Sequence, residues 1–455
     1  MKTPFFILMT AAFLFSCGTE TPKENPVTKN KEIIKPEDTT KVKTTETVET
    51  TNNTPVSCTN DSLDEMAKMI AGINKGSSAK VLGNVFSKKS FVDFSSSFEK
   101  KWKQYDTSRL VHLESFRATE LSKTVGTTKT LFYPFSGPDF LYANAFFPDA
   151  DKYILMGLEP VGTRPVLDEE PEERDSLNKY FNKINTSLNT ILRCSFFRTA
   201  SMKADLRNQE LDGTLHLILL FMSRTGHSIC AMNPVNIDTA GNIRYIKSFP
   251  ELQKKPLNNK GIEIRFTTKE GKEKLMYYFS LNLDNGGLKT NKNLRNYFSK
   301  MGEVNTYLKG ASYLMHESYF SSIRNTIFEH SQYIIQDDSG IAFRYFSNSG
   351  YAWDYTFYGK YTRPISLFSY AYQKDLDSLW KTQGSKNIGF GIGYNFHDKN
   401  SNLMVAKRGA FDPAKKKAEP VKEVKEKTIT KETKEDFIPK KAGSIKKKSP
   451  VKESK

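Results

Sequence analysis

The architecture is best deduced from TLFYPFSGPDFLYANAFFPDADKYILMGLEP, residues 130–160. Thr130 to Phe135 has the composition of a β-strand that ends at a turn, and Phe140 to Phe147 has apolar residues at helical spacing. After a second break, Lys152 to Leu158 is again an apolar, strand-like run. Two parallel strands joined through a helix almost always form a right-handed crossover, so the stretch predicts a strand-helix-strand unit. We therefore predict an α/β or α+β fold with a mixed central sheet.

In such a unit, the turn after the first strand and the acidic residue after the second strand face one crevice. These positions hold Ser136, Gly137, Asp139 and Glu159. The arrangement resembles a degenerate version of the ligand sites in methyltransferase-like and dinucleotide-binding domains, with one glycine where those families use two or three. The resemblance implies a nucleotide or adenosyl ligand at these four residues. The alternative is a crossover that only builds the sheet.

Three further segments predict elements around this unit. Thr214 to Met222 is a nearly continuous apolar run, which is typical of a strand buried on both faces. Residues 261–283 alternate as two strands around a turn and predict a hairpin. Leu294 to Ser331 predicts one or two helices, broken at Gly302 and Gly310.

A second candidate site is the acidic turn at Asp337 and Asp338. With His316 and Arg344 nearby in the sequence, two adjacent carboxylates could supply acid and base for hydrolysis, because one carboxylate raises the pKa of its neighbour. The alternative is a turn that only shapes the backbone, since adjacent side chains on a turn usually point apart.

A third candidate site is the aromatic strand predicted at Tyr351 to Phe357, where strict alternation places four rings on one face. If that face is open, Trp353 suits stacking against a sugar ring, and Asp354 and Arg363 could hold sugar hydroxyls. The alternative is that these rings form the core side of the sheet, because exposed aromatic patches of this size are uncommon.

The amino terminus carries a targeting signal. An apolar run of about a dozen residues follows Lys2, which is shorter than the roughly 20 residues that a membrane-spanning helix needs. Residues 1–16 therefore predict a signal peptide. Leu14-Phe15-Ser16-Cys17 resembles the lipobox of bacterial lipoproteins, which implies that Cys17 is acylated, for example with palmitate, and becomes the mature amino terminus. An ordinary secretory signal with an incidental cysteine is the alternative.

Low-complexity segments flank the predicted globular body, residues 58–410. Residues 17–57 contain eleven threonines and four prolines and predict a disordered tether. Residues 411–455 contain fifteen lysines and eight acidic residues and predict a disordered, basic tail. The body itself could divide near an acidic, proline-containing stretch into lobes 58–168 and 176–410.

The net charge of +17 favours partners that carry negative charge. The lysine-rich tail could adhere to anionic lipid, lipopolysaccharide or a cell-wall polymer, with each lysine contributing about 1 kcal/mol at most. The alternative is a tail that is only solvated. Nucleic acid is not expected as the partner of an exported protein. We also expect no cofactor, because a cell envelope supplies little S-adenosylmethionine or nicotinamide cofactor.

Besides Cys17, the chain has Cys58, Cys194 and Cys230, an odd number that allows one disulfide with a free thiol, or none. Cys194 and Cys230 lie on apolar segments and are the favoured pair, while buried unpaired cysteines are equally compatible with the sequence. The six histidines are scattered, without His-x-His or Cys-x-x-Cys spacing, so we expect no metal site.

These features predict a lipid-anchored cell-envelope lipoprotein whose body binds or scaffolds, with a saccharide or cell-wall polymer as the best-motivated ligand. The alternative is an envelope enzyme, either a hydrolase or a degenerate methyltransferase-like protein, that uses carboxylates of the body. Leu131 to Gly162, Gln336 to Gly340 and Phe390 to Tyr394 resemble an uncharacterised family of exported bacterial proteins, which implies no activity. Gly18-Thr19 after the cysteine contains no acidic residue, which favours the outer over the inner membrane.

Overall fold

The computed structural model describes residues 60–122, 128–165, 178–186, 213–253, 259–396 and 401–417. Within these ranges the strands are β1 (Thr130–Tyr133), β2 (Lys152–Gly157), β3 (Ser228–Ile237), β4 (Ile243–Tyr245), β5 (Lys260–Thr267), β6 (Glu273–Ser280), β7 (Val304–Leu308), β8 (Ser331–Gln336), β9 (Tyr351–Gly359) and β10 (Asn402–Phe411). The helices are α1 (Asp61–Ile70), α2 (Gly83–Ser87), α3 (Lys89–Tyr105), α4 (Val111–Phe116), α5 (Phe140–Phe146), α6 (178–186), α7 (Leu215–Arg224), α8 (Phe249–Gln253), α9 (Asn285–Thr290), α10 (Lys292–Ser299), α11 (Ser321–His330) and α12 (Lys374–Gln383). The predicted signal peptide, the tether and most of the tail lie outside the described residues.

All ten strands belong to one sheet, in the order β4-β3-β5-β6-β2-β1-β7-β8-β10-β9. The five central strands from β6 to β8 are parallel, and the strands on either side of them pair in antiparallel fashion. The predicted α/β fold with a mixed sheet is therefore confirmed. Numbered along the chain among themselves, the central strands follow the order 3-2-1-4-5, as in doubly wound dinucleotide-binding sheets.

Helices cover both faces of the sheet. Leu131 and Tyr133 of β1 point into the core beneath α1, α3, α4, α5 and α7, whereas Phe132 points into the core beneath α9 to α12. Because side chains alternate along a strand, covering both faces buries most residues of the central strands, and β7 is buried throughout. The described body is thus a sandwich of two helical layers around the sheet.

The strand-helix-strand unit is confirmed. Thr130 of β1 pairs with Lys152 of β2 in a parallel register, and α5 forms the crossover between the two strands. Asp139 is the N-cap of α5, where its side chain accepts a hydrogen bond from the Tyr142 amide. The predicted hairpin is also present as β5 and β6, which pair in antiparallel fashion.

The strand predicted at Thr214 to Met222 is wrong, because this segment forms α7. Every residue from Leu215 to Ser223 is buried, and the helix packs against α1, α5 and β3. A helix that is buried on all sides has no polar face, so its sequence shows the same unbroken apolar run as a buried strand.

The helical prediction for Leu294 to Ser331 is only partly right. Helix α10 ends at Ser299 and α11 begins at Ser321, but β7 lies between them in the centre of the sheet. The polar residues Asn305 and Thr306 are buried in β7 and break the apolar run that would have indicated a strand. The Asn305 Nδ2 group donates to the Thr128 carbonyl (3.2 Å), so this part of the amide is hydrogen-bonded in the interior.

The described body does not divide into lobes 58–168 and 176–410. Strands β1 and β2 come from the first of these ranges, and they pair with β7 and β6 from the second. The carboxyl-terminal boundary of the body also lies later than predicted. Strand β10 ends at Phe411, and the Lys417 amide still donates to the Asn348 carbonyl (3.2 Å).

Cys230 lies on β3 and is disulfide-bonded. Its predicted partner Cys194 and the remaining cysteine Cys58 lie outside the described residues. The pairing of Cys194 with Cys230 therefore stays a prediction.

Because α7 is buried, we expect truncation of one of its side chains to destabilise the protein. We expect Leu219→Ala to lower the free energy of unfolding by about 2–5 kcal/mol, because the fully buried side chain leaves a cavity. Val111→Ala is the control, since Val111 is half exposed on α4 and its truncation should change stability by no more than about 0.5 kcal/mol. Urea unfolding followed by circular dichroism measures both, and equal losses would contradict the packing of α7.

Candidate functional site

A crevice lies where β1 and β7 run side by side. The chain leaves β1 towards β2 on one side and leaves β7 towards β8 on the other, so the two following loops diverge. Ligands of doubly wound sheets bind at such a point, beyond the carboxyl ends of the strands. Here the crevice holds a cavity of about 90 Å³, and Ser136, Gly137, Asp139 and Glu159 all line it. The structure therefore brings the four predicted crevice residues together.

The walls of this cavity contain strained backbone. Phe135 (φ 62°) and Ser312 (φ 54°) line the cavity, and Tyr313 (φ 55°) follows directly. These are three of the four non-glycine residues with positive φ in the described part of the chain. Each such conformation costs roughly 1–3 kcal/mol and is typical of ligand-binding and catalytic sites. The strain marks this crevice as the leading candidate for a functional site.

Asp139 is held by protein groups on every side. Its carboxylate forms an ion pair with Lys309 (2.7 Å), in which both side chains are 2% exposed. It also accepts hydrogen bonds from the Tyr133 hydroxyl (2.9 Å) and the Tyr142 amide (3.2 Å). The Lys309 ammonium group lies 3.4 Å from the centre of the Tyr142 ring. Asp139 thus closes the start of α5 with its own negative charge, which disfavours a phosphate there.

Glu159 is the contrasting carboxylate of the crevice. It is 3% exposed and lines the cavity, yet no group among the described residues donates a hydrogen bond to its carboxylate. Only its backbone carbonyl is engaged, by the Tyr278 hydroxyl (2.9 Å). Because this carboxylate faces the cavity and not a protein donor, a ligand that donates hydrogen bonds would find an acceptor here without displacing a protein group.

Two further features position the Glu159 carboxylate. A Cβ atom on Gly157 would lie 2.5 Å from Glu159 Oε2 and 3.1 Å from the Gly137 Cα, so only glycine allows the loops to approach. The Ser136 amide donates to the Met156 carbonyl (2.9 Å), which joins the turn after β1 to β2.

The second candidate site does not assemble as a catalytic cluster. Asp337 accepts hydrogen bonds from the Gly310 amide (2.9 Å) and the Ser339 amide (3.0 Å). Asp338 faces elsewhere and accepts from the Tyr313 hydroxyl (2.7 Å) and the Asn402 amide group (3.0 Å). The two carboxylates therefore point apart, as in the turn-forming alternative, and both brace loops of the crevice wall.

The other two residues of that candidate site are also structural. The Arg344 guanidinium donates to the His316 carbonyl (2.6 Å), and the His316 ring packs against Tyr313 (5.1 Å between centroids). Burial lowers the pKa of His316 to about 3, so the ring is neutral at pH 7. Burial, and then the charge of Asp338, raises the pKa of Asp337 to about 7.

The aromatic strand is mostly closed. On β9, the Trp353 ring packs against Phe328 (5.7 Å) and Phe346 (5.3 Å), and its indole N–H donates to the Ser349 hydroxyl (2.9 Å). Asp354 is exposed and, by strand alternation, points to the opposite face. Arg363 is exposed in the loop after β9, 5.9 Å from the Tyr372 ring. The structure does not bring these three predicted residues into one site.

Sequence reasoning missed three residues of the crevice. Lys309 and Gly310 follow β7, which was predicted as helix, so their place at a strand end was not evident. Asn282 follows β6 and lines the mouth of the cavity. The sequence signal that could have identified these three residues is a polar residue or glycine directly after a strand-length segment.

Comparisons with protein-family models, with curated protein sequences and with solved structures find no match for this chain. Within the described ranges, no group of three or more His, Cys, Asp or Glu side chains is arranged to hold a metal ion. Function must therefore be inferred from the geometry and charges of the crevice.

The raised pKa of Asp337 predicts a pH dependence of stability. Its pKa of about 7 in the folded protein exceeds the ordinary value of 3.8, so this group stabilises the fold fully below pH 3.8 and loses that contribution as pH rises through 7. We expect the free energy of unfolding of the wild type, minus that of Asp337→Asn, to increase by about 2–4 kcal/mol from pH 8 to pH 4.

Asp377→Asn is a control of opposite sign for the same measurement. Hydrogen bonds from Lys381 and Tyr372 lower the pKa of Asp377, so its stabilising contribution is lost as pH falls. Parallel pH profiles for the wild type and Asp337→Asn would contradict the shift of Asp337.

Proposed function

We propose that this chain is a lipid-anchored lipoprotein of the bacterial cell envelope whose body binds a small, hydroxyl-bearing ligand in the crevice, with a saccharide as the preferred class. The observation that carries the proposal is the Glu159 carboxylate, which is buried at the crevice without a described partner, beside strained loops. Binding, rather than catalysis, is favoured because the other carboxylates near the crevice are engaged by protein groups.

The anchor rests on the amino-terminal sequence. Residues 1–16 have the features of a signal peptide, and Cys17 stands at the position that is acylated in lipoproteins. Acyl chains contribute about 0.8 kcal/mol per buried methylene, so several chains on one cysteine hold a protein firmly. None of the helices in the described part of the chain is long and apolar enough to cross a lipid bilayer.

The charges of the crevice favour a neutral or amine-bearing ligand. Lys309 is already neutralised by Asp139, which leaves Glu159 as the uncompensated charge at the cavity. Sugar hydroxyls donate well to carboxylate oxygens, and the exposed Asn282 amide can assist at the mouth. The cavity of about 90 Å³ is smaller than the 300–1,000 Å³ typical of drug-sized ligands, so it admits only part of one sugar residue, with the rest of the ligand outside.

A nucleoside ligand is the second candidate, as in a degenerate methyltransferase-like enzyme. The 3-2-1-4-5 order of the central strands favours it, as does Glu159, which follows Gly137 by 22 residues. In dinucleotide-binding domains an acidic residue about 20 residues after the glycines binds the ribose hydroxyls. The hydrolase alternative receives no such support, because Asp337 and Asp338 point apart.

The lysine-rich tail is a second part of the chain, besides Cys17, that would contact the cell envelope. Its excess of lysine would attract anionic lipid, lipopolysaccharide or a charged wall polymer, with attraction that weakens in salt. The lack of an acidic residue at Gly18-Thr19, directly after Cys17, favours the outer membrane as the location.

The lipid anchor predicts the behaviour of Cys17→Ser. We expect the wild type to incorporate labelled palmitate and to partition into detergent, and Cys17→Ser to do neither, because the acylated sulfur is lost. Cys58→Ser is the matched control and should behave as the wild type. An unlabelled wild type, or equal labelling of Cys17→Ser, would refute the anchor.

The crevice predicts the effect of Glu159→Gln on ligand binding. In calorimetric titrations with monosaccharides, adenosine and S-adenosylmethionine, we expect the bound ligand to lose tenfold or more in affinity, because a hydrogen bond to a charged group contributes about 1.5–3 kcal/mol. The isosteric change should leave the circular dichroism spectrum unaltered.

Asp354→Asn is the control for this titration, because Asp354 belongs to the aromatic strand and not to the crevice. Unchanged affinity in Glu159→Gln, or a loss in Asp354→Asn instead, would exclude the crevice as the binding site. Binding of a nucleoside but of no sugar would favour the second candidate.

A further inference from the structure

An exposed pair of tyrosines lies beyond the crevice described above. Tyr319 is 36% exposed and Tyr370 is 66% exposed, so both rings can be reached from solvent. Neither ring is needed to fill the core, and neither hydroxyl has a hydrogen-bond partner among the described residues. We call Tyr319, Tyr370 and the intervening carboxylate Glu317 the tyrosine rim.

The tyrosine rim is continuous with the crevice. The Tyr319 ring packs against Phe320 (4.8 Å between centroids), and Phe320 lines the cavity and contacts Phe135 (5.7 Å). On the other side, Tyr370 contacts Phe368 (6.3 Å). A ligand that leaves the crevice past Phe320 would therefore meet the Tyr319 ring first.

The loop that carries Tyr319 is held rigidly before any ligand binds. Arg324 is fully buried, and its guanidinium donates to the carbonyls of Met315 (2.9 Å) and Glu317 (2.6 Å). Arg344 and Tyr345 both donate to the His316 carbonyl. Holding a binding loop in place reduces the entropy that is lost on association.

The charged groups nearest the two tyrosine hydroxyls are carboxylates, whereas the exposed Arg344 guanidinium lies at the His316 carbonyl. Burial, and then the charge of Glu317, raises the pKa of both Tyr319 and Tyr370, so this carboxylate lies near both hydroxyl groups. Asp284 is a further negative neighbour of Tyr319. The aromatic rings can stack on sugar rings, and the carboxylates can accept hydrogen bonds from sugar hydroxyls. The same carboxylates repel phosphate or uronate groups.

We infer that the tyrosine rim is an extended subsite that binds the second and later sugar residues of a neutral saccharide chain whose terminal residue occupies the crevice. The inference rests on the proposed function and adds the length and the charge class of the ligand.

The test compares ligands of different length. We would titrate the full chain with N-acetylglucosamine and with its linear tetramer, and with a tetramer of galacturonate as the anionic counterpart. We expect the neutral tetramer to bind at least about tenfold more tightly than the monomer, because stacking on two rings adds to the crevice contacts. The galacturonate tetramer should bind more weakly than the neutral one.

Single substitutions then test which residues give the tetramer its higher affinity. Tyr370→Ala and Tyr319→Ala should each reduce affinity for the tetramer about tenfold and leave affinity for the monomer unchanged. Tyr245→Ala is the matched control, because Tyr245 is 67% exposed on the edge strand β4 and should affect neither ligand. Circular dichroism of each variant confirms that the fold is kept.

The outcomes separate this inference from the proposed function. Equal affinity for monomer and tetramer, with loss of both in Glu159→Gln, would overturn the rim and leave the crevice intact. Tetramer binding that depends on Tyr370 but not on Glu159 would overturn the crevice and, with it, the role of the rim as an extension of the crevice. Binding of neither ligand, or capture of a protein at Tyr370 instead, would overturn the saccharide subsite.

Discussion

The buried ion pair between Asp139 and Lys309 joins the two loops between which the crevice forms. Asp139 follows β1 and Lys309 follows β7, so one contact fixes the separation of the strands from which the chain diverges. With both side chains 2% exposed, loss of either partner would leave an uncompensated charge in the interior, at a cost of about 3–5 kcal/mol. The hydroxyl of Tyr133 and the start of α5 depend on the same carboxylate.

Charges around the crevice divide into those that hold the fold and one that is free for a ligand. Asp337 and Asp338 brace the loops after β7, and Arg324 and Arg344 hold the carbonyls of the segment that leads to Phe320. Each of these groups is engaged by protein partners. Glu159 differs from them, because the protein offers its carboxylate a cavity instead of a donor.

Much of the sheet could be predicted from local pattern. The unit from β1 to β2, the hairpin of β5 and β6 and the alternating strand β9 each follow a period that side-chain sterics impose on a short segment. Helix α7 could not be recognised, because an element buried on all sides carries no period. Strand β7 was hidden by Asn305 and Thr306, which are tolerated inside only because the fold supplies Asn305 with a distant hydrogen-bond acceptor.

The residues along the chain were sufficient to predict the α/β class and the grouping of the four crevice residues, because each depends on neighbours close in sequence, whereas the lipoprotein-like amino terminus stays a prediction. The pairing of β1 with β7, and with it the meeting of Lys309 with Asp139, joins segments more than 150 residues apart. Burial is likewise a property of the whole fold, since it depends on which faces are covered. That is why Trp353 belongs to the core side and Asp337 is a brace, while Glu159 and Tyr370 remain open to a ligand.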